Sequence, residues 1–215
     1  MTDAPAQGAD TKARSKRMKL IAAALVVLLG GAAFGVAMWQ SQRAYHLATV
    51  QPGVLFRDGA RSARQFATAL DSVHPHTVVS LVDAQEINDP SKPQLGEEAQ
   101  LCSARGVKLE RIKVKLGGWP TSDDLQRFLK IVTDKQNQPV LVHCAQGVRR
   151  TAFFVAAFQE SVLGYDKGKA KDAILTFGHS DKTINDIRRF IDEYDAKSES
   201  VPADLARSAP MTKDQ

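Results

Sequence analysis

Residues 139–158 read PVLVHCAQGVRRTAFFVAAF, and the remainder of the chain is interpreted outward from this stretch. The opening PVLVH is a short run of apolar and β-branched residues, which predicts a buried strand. The closing TAFFVAAF is apolar on nearly every side, which predicts a central buried helix. Few residues separate the two, so the chain must turn directly from the end of a strand into the start of a helix.

This strand–loop–helix connection has the features of an anion site. The backbone N–H groups of such a loop point inward, and the helix dipole adds to their positive field. Gly147 permits the tight turn, and the planar guanidinium of Arg150 can hold two oxygens of one phosphate. Cys144 begins the loop in the same field, which lowers the pKa of its thiol and favours a nucleophilic thiolate.

The motif therefore predicts that the Cys144 sulfur attacks a bound phosphoryl group, with Thr151 as a hydrogen-bond donor to the sulfur when it leaves. His143 is expected to orient the loop rather than to transfer protons. The predicted catalytic residues are Cys144, Arg150 and Thr151, and the predicted phosphate-binding residues are His143, Ala145, Gln146, Gly147, Val148, Arg149 and Arg150. The competing interpretation is that Cys144 is only a small buried apolar residue. The combination of strand, glycine, arginine, hydroxyl and helix argues against it.

Strand and helix patterns alternate from residue 54 onward. Strands are predicted at 54–57, 77–82, 107–114 and 139–143, with helices at 60–73, 95–104, from 121 or 122 to 135, and 151–158. Such alternation predicts an α/β domain with a mainly parallel central sheet flanked by helices.

The segment HCAQGVRRT resembles the signature of the protein tyrosine phosphatase superfamily, which is His-Cys, five residues, Arg, then Ser or Thr. Over residues 54–194 the chain resembles the small, cysteine-based dual-specificity phosphatases of bacteria. The opening VLFR at 54–57 is similar to their LYRS-like openings, and 183–191 looks like the closing helix of kinase-associated and similar phosphatases. The resemblance implies a phosphoric monoester hydrolase that forms a phosphocysteine on Cys144, which water then hydrolyses.

The general acid of that family is not in its usual place. Relatives supply an aspartate that opens a stretch like Asp-Gly-Gly-x-Pro. Aligned on the glycines and proline of 117–120 (GGWP), this chain has Leu116 there. Asp123 or Asp124 would substitute, or both are charges that favour the first turn of a helix and there is no acid.

Three functions follow from these residues. The leading one is hydrolysis of protein phosphotyrosine, with dual specificity as an extension. The second is hydrolysis of inositol or other small or lipid phosphates, whose enzymes often carry a loop lysine, whereas this loop has Arg149. The third is a catalytically weak module that binds phosphoproteins, for which Leu116 is the best support. Neither cofactor nor metal is expected, and Cys102 is expected to be a buried helix residue, with a disulfide to Cys144 as the alternative.

The N-terminal region predicts a membrane anchor. Residues 1–39 hold five of the 29 Lys and Arg residues but only two of the 24 Asp and Glu residues, so the basic character argues for a membrane surface over nucleic acid. Residues 20–39 are uncharged and apolar, which is enough helix to cross about 30 Å of hydrocarbon. The alternative is a cleaved signal peptide with a site near 35–37. The positive-inside rule predicts a single-pass protein with an extracytoplasmic catalytic domain.

The predicted organisation is thus a basic cytoplasmic tail (1–19), a transmembrane helix (20–39), a linker (40–52), a phosphatase domain (53–197) and a disordered tail (198–215). The expected partners are a phosphorylated protein or small phosphate substrate and, through the helix, the membrane.

Overall fold

A mixed β-sheet carries the fold. The computed structural model describes Met18, Lys19, residues 25–36, Met38, residues 43–175, Phe177 and residues 179–200. The chain divides into two units, Met1–Arg43 and Ala44–Gln215, and the sheet belongs to the second. Its strands are β1 (Tyr45–Gln51), β2 (Leu55–Gly59), β3 (Thr77–Ser80), β4 (Lys108–Arg111) and β5 (Val140–Cys144).

The strands lie in the order β1-β2-β5-β3-β4. β5 is parallel to both β2 and β3, and β3 is parallel to β4, whereas β1 runs antiparallel to β2 at the edge. The helices that connect and cover the strands are α1 (Ala63–Val73), α2 (Ala84–Ile87), α3 (Pro93–Gly96), α4 (Glu98–Ser103), α5 (Ser122–Thr133), α6 (Arg149–Ser161), α7 (Lys167–Asp172) and α8 (Asp181–Glu193), with a short 3₁₀ turn at Lys135–Asn137. The predicted α/β class with a mainly parallel sheet is confirmed.

Both faces of the sheet are buried, which explains why β5 is apolar without alternation. Successive β5 side chains point to opposite faces, so Val142 and Cys144 join one core cluster and Leu141 joins the other. The first cluster includes side chains of α5, α6 and α8. The second includes Phe66 of α1 and Cys102 of α4. The helix α6 is buried along almost its whole length, as its sequence predicts.

The N-terminal edge of the domain differs from the prediction. Residues 40–52 are predicted as a linker, but Tyr45–Gln51 forms β1. An edge strand is half exposed and is shaped by pairing with its neighbour, so its side chains need not alternate clearly. At the other end, Asp195 and Ser200 pair as an isolated bridge, and residues 201–215 of the predicted tail lie outside the described residues.

The predicted membrane location is wrong. Part of the predicted span 20–39 lies outside the described residues, and among those described no helix is long and apolar enough to cross a membrane. The prediction of a single-pass protein with an extracytoplasmic catalytic domain is contradicted by this finding.

Candidate active site

The predicted site residues lie together at one edge of the sheet. Residues 145–148 form a loop between the end of β5 and the start of α6, at the edge where the parallel strands end. Ligands of open α/β sheets bind at this edge, because strand ends and helix N-termini converge there. Gly147 has a φ of +68°, a left-handed conformation that glycine adopts without strain.

The thiol of Cys144 faces the interior of this loop. The backbone N–H of Gly147 donates a hydrogen bond to Sγ across 3.2 Å. Burial alone would raise the pKa of the thiol. The positive charge of Arg150 and the neighbouring polar groups of Thr151 and Gly147 outweigh burial, so the pKa of Cys144 is lowered from its ordinary value. The loop therefore favours a thiolate.

Arg150 is held rigidly behind the loop by an ion pair that the sequence did not predict. Its Nη1 and Nη2 lie 2.5 Å and 2.8 Å from the two carboxylate oxygens of Glu86. Nη1 also lies within hydrogen-bond distance of the carbonyl oxygens of Leu81 (3.2 Å) and Val114 (3.0 Å). Burial would lower the pKa of Arg150, but the charges of Cys144 and Glu86 raise it. The guanidinium is therefore a fixed cation beside the thiol.

Glu86 could have been suspected from its position. It lies in α2, shortly after β3, at the same sheet edge as the loop. The side chain of Asp83 caps this helix by accepting the N–H groups of Gln85 (2.8 Å) and Glu86 (2.9 Å). Pairing with Arg150 nevertheless depends on a separation of 64 residues, which no local pattern predicts.

The side chain of Arg149 does not project freely into solvent. Its guanidinium lies over the rings of Trp119 and Phe153, at 4.9 Å and 4.8 Å from their centroids. Nε donates to the Asp186 carboxylate (2.8 Å), and Nη1 donates to the carbonyl of Gly118 (2.6 Å). The side chain thus joins the 117–120 loop to α6 and α8, which leaves its backbone N–H as its contribution to the anion site.

The region of the missing acid is built around Leu116 and Asp124. Leu116 is 57% exposed, and its N–H donates to the second carboxylate oxygen of Asp83 (3.3 Å). Asp124 forms a capping box with Thr121, whose N–H donates to the Asp124 carboxylate (2.9 Å). Asp123 is exposed on the first turn of α5. The capping box gives Asp124 a structural function at the start of the helix.

The two remaining predicted features lie on the opposite face of the sheet from the thiol. The ring of His143 is buried against Phe66 at 4.7 Å, and burial lowers its pKa from the ordinary value. Cys102 belongs to the core cluster on that face, and burial, with the charge of Glu98, raises its pKa to about 11. Both cysteines are free thiols.

Comparison with known proteins identifies the family. Residues 42–191 match the family model described as a DSP-PTPase phosphatase fused to NAD⁺ kinase. The chain belongs to this family. The dual-specificity and tyrosine phosphatase resemblance predicted from HCAQGVRRT is thereby confirmed.

Two rice (Oryza sativa subsp. japonica) proteins are similar in sequence. The inositol diphosphatase DSP2 is 29% identical over 140 residues, which cover 60% of this chain and 63% of that protein. The probable chloroplastic NAD kinase 2 is 25% identical over 83 residues, which cover 39% of this chain and 8% of that protein. The match therefore spans less than two thirds of each of these relatives.

Solved structures show the same fold. The catalytic domain of the PP-IP phosphatase Siw14 from S. cerevisiae superposes with a TM-score of 0.58 at 20% identity, covering 71% of this chain and 87% of that one. TpbA from P. aeruginosa superposes with a TM-score of 0.54 at 21% identity, covering 74% and 94%. A variant of TpbA has been solved with phosphotyrosine.

Proposed function

We propose that this phosphatase-family domain hydrolyses phosphomonoesters through a phosphocysteine on Cys144. The sulfur would form a bond to phosphorus as the ester P–O bond breaks, and the alcohol would leave. Water would then attack phosphorus, break the S–P bond and release inorganic phosphate with the thiolate restored. The observation that carries the proposal is the Cys144 thiol, with its lowered pKa, held against the Gly147 N–H and beside a fixed arginine.

The remaining loop residues have supporting functions in this mechanism. Arg150 would bind two phosphate oxygens, and its pairing with Glu86 supports this role because the guanidinium is already oriented. The backbone N–H groups of residues 145–150 would bind the other oxygens, and Thr151 would donate to the leaving sulfur. His143 would orient the loop from the opposite face of the sheet, where its ring is fully buried.

The proposed substrate class is an ester with a good leaving group, and protein phosphotyrosine is the leading member. An alkoxide needs a proton to leave, and a general acid typically contributes about 10²–10⁴ in rate. A phenolate leaves with much less help. Leu116 occupies the usual acid position and Asp124 is engaged in a helix cap, and both observations favour aryl over alkyl phosphates.

The second candidate substrate is an inositol diphosphate. The rice relative described as an inositol diphosphatase supports it. The chemistry agrees, because cleavage of a phosphoanhydride releases a phosphate group, which is also a stable anion that departs without a strong acid. Neither argument supports phosphoserine, because its leaving group is an alkoxide, which needs a proton from a general acid.

A substrate panel with the full chain tests the proposal. We expect turnover of a phosphotyrosine peptide, with an inositol diphosphate as the competing substrate and slow turnover of a phosphoserine peptide. Cys144→Ser should abolish turnover and still bind inorganic phosphate, because the amides and Arg150 remain. Cys102→Ser is the matched control, since this thiol lies on the other face of the sheet.

The outcomes separate the candidates. Equal hydrolysis by wild type and Cys144→Ser would refute the mechanism. If the wild-type chain binds phosphopeptides without turning them over, it is a binding module. If it strongly prefers the inositol diphosphate, that compound becomes the leading substrate in place of phosphotyrosine.

A further inference from the structure

The β1–β2 hairpin (residues 45–59) packs directly against the outer side of the 145–148 loop. A Cβ added at Gly59 would lie 2.6 Å from the backbone of Gln146, and one added at Gly147 would lie 2.3 Å from the carbonyl oxygen of Asp58. Both distances are shorter than a van der Waals contact. The backbones of hairpin and loop therefore touch without intervening side chains.

Two hairpin side chains bond to two successive carbonyl groups of the loop, and a third carbonyl, that of Val148, mainly accepts the Ala152 N–H of α6 (2.9 Å). Nδ1 of His46 lies 2.8 Å from the carbonyl oxygen of Gln146. Nη2 of Arg57 donates to the carbonyl of Gly147 across 2.6 Å, and the carbonyl of Val148 lies 3.5 Å from the same atom. The outer carbonyls of the loop thus point toward β1 and β2.

Peptide geometry links these outward carbonyls to inward N–H groups. A trans peptide is planar, so the C=O of one residue and the N–H of the next point in opposite directions. The Gln146 carbonyl points to His46, and the following N–H, that of Gly147, donates to the Cys144 sulfur at 3.2 Å. By the same geometry, the Gly147 carbonyl that faces Arg57 directs the N–H group of Val148 into the loop.

His46 adopts an unusual backbone conformation to make its contact. Its φ is +63°, in the left-handed region that residues with a Cβ rarely occupy. The ring stacks on Tyr45 at 3.8 Å, and the β1–β2 register is irregular between Tyr45 and Ala48. A strained residue in contact with a functional loop points to a function for the strain.

Arg57 is also placed at an energetic cost. It is 2% exposed although it carries a positive charge. Burial lowers its pKa to about 10, while the negative charge of the Cys144 thiolate raises it. The guanidinium therefore both satisfies loop carbonyls and adds to the positive field around the thiol.

We infer that His46 and Arg57 are positioning residues: they hold the carbonyls of Gln146 and Gly147 outward so that the N–H groups of Gly147 and Val148 converge on the phosphate. The inference rests on the proposed function, since it concerns how the same loop binds its anion. Neither residue touches the substrate in this arrangement. His46 acts through the backbone of the loop, and Arg57 acts through that backbone and through its positive charge near the thiol.

Three full-chain variants test the inference. Arg57→Met removes the guanidinium donors, and Arg57→Lys keeps a charge and a donor. His46→Phe keeps a stacking ring but removes the nitrogen that bonds Gln146. The matched control is Arg127→Met, because Arg127 also donates to a backbone carbonyl, that of Arg111 (3.1 Å), but at an exposed site outside the loop.

The readouts are the dissociation constant for inorganic phosphate, the pH dependence of Cys144 alkylation by iodoacetamide, and thermal unfolding. We expect Arg57→Met to weaken phosphate binding at least about tenfold and to move the alkylation midpoint to higher pH. Arg57→Lys should recover part of both, His46→Phe should weaken binding about threefold or more, and Arg127→Met should match wild type. If His46 and Arg57 had only a structural function, the substitutions would lower the unfolding temperature and leave the pH dependence of Cys144 alkylation unchanged in the folded protein.

If folded Arg57→Met binds phosphate as tightly as the wild type and is alkylated with the same pH dependence, the inference for Arg57 is overturned. The same result in His46→Phe overturns it for His46. If Arg57→Met does not fold, Arg57→Lys and His46→Phe decide the question by the same criterion. A wild-type chain that neither binds phosphate nor hydrolyses any substrate of the panel would instead refute the proposed function.

Discussion

Replacing Gly147 with alanine tests whether the close contact between the loop and β2 is required for catalysis. The substitution has two separate costs. The φ of +68° places a Cβ in the left-handed region, at about 1–2 kcal/mol. The new Cβ would also lie 2.3 Å from the carbonyl oxygen of Asp58, which belongs to strand backbone and cannot rotate away, so the loop must move.

Two other glycines isolate these costs. Gly164 has nearly the same φ, +67°, and among the described residues nothing lies within 4 Å of an added Cβ, so Gly164→Ala carries the dihedral cost alone. Gly59 lies outside the left-handed region, and its Cβ would lie 2.6 Å from the Gln146 backbone, so Gly59→Ala carries the contact cost alone. Part of the dihedral cost is offset by the lower entropy of the unfolded chain, by about 0.4–1 kcal/mol.

We expect Gly164→Ala to lose about 1 kcal/mol of unfolding free energy and to keep its kcat/KM. Gly147→Ala and Gly59→Ala should each lower kcat/KM by about 10²-fold or more, because a displacement of about 1 Å in a positioned group has that effect. The assays are urea unfolding and hydrolysis of an aryl phosphate. If Gly147→Ala matched Gly164→Ala in both measurements, the contact with β2 would have no catalytic importance.

Three further predictions concern carboxylates near the loop. Glu86→Gln should destabilise the fold by about 3 kcal/mol in urea and lower kcat/KM, because Arg150 loses its buried counter-charge; unchanged values would contradict the pairing. Asp124→Asn should cost less than about 1 kcal/mol and leave the ratio of aryl to alkyl phosphate hydrolysis unchanged; a selective loss on phosphoserine would make Asp124 the acid. Burial raises the pKa of Asp58 from 3.8 to about 8. Between these two pH values the folded chain keeps a proton on Asp58 that the unfolded chain has lost, so the unfolding free energy of the wild type should fall as the pH rises from 3.8 to about 8. Asp58→Asn should remove that fall. If the unfolding free energies of the variant and the wild type changed with pH in parallel, this assignment to Asp58 would be refuted.

The sequence alone predicted the parts of the site that are contiguous in the chain. β5, the 145–148 loop and α6 follow one another within 139–161, so strand pattern, glycine and helix pattern specify the loop without reference to distant residues. The alternation of strand and helix patterns predicted the α/β class for the same reason. Each of these signals depends on local periodicity, which tertiary packing here reinforces.

The residues that support the loop became visible only in the tertiary structure. Glu86 lies 64 residues away from its partner Arg150 at the start of α6, and Arg57 and His46 lie 90 and 100 residues away from their partners in the loop. Parallel strands joined by long crossovers bring their carboxyl ends to one edge, and the strand order that decides which residues meet there is not encoded in any local pattern.

The surroundings of Arg149 were decided in the same way. Trp119 and Asp186 reach the guanidinium of Arg149 from the 117–120 loop and from α8, which only the packed structure brings together. Residues 20–39 have the composition of a membrane span, yet a span also requires one uninterrupted helix of sufficient length, and none exists among the described residues. Composition and local spacing determined the catalytic loop of this protein, whereas the contacts that orient its carbonyls and its arginine depend on which strands become neighbours in the sheet.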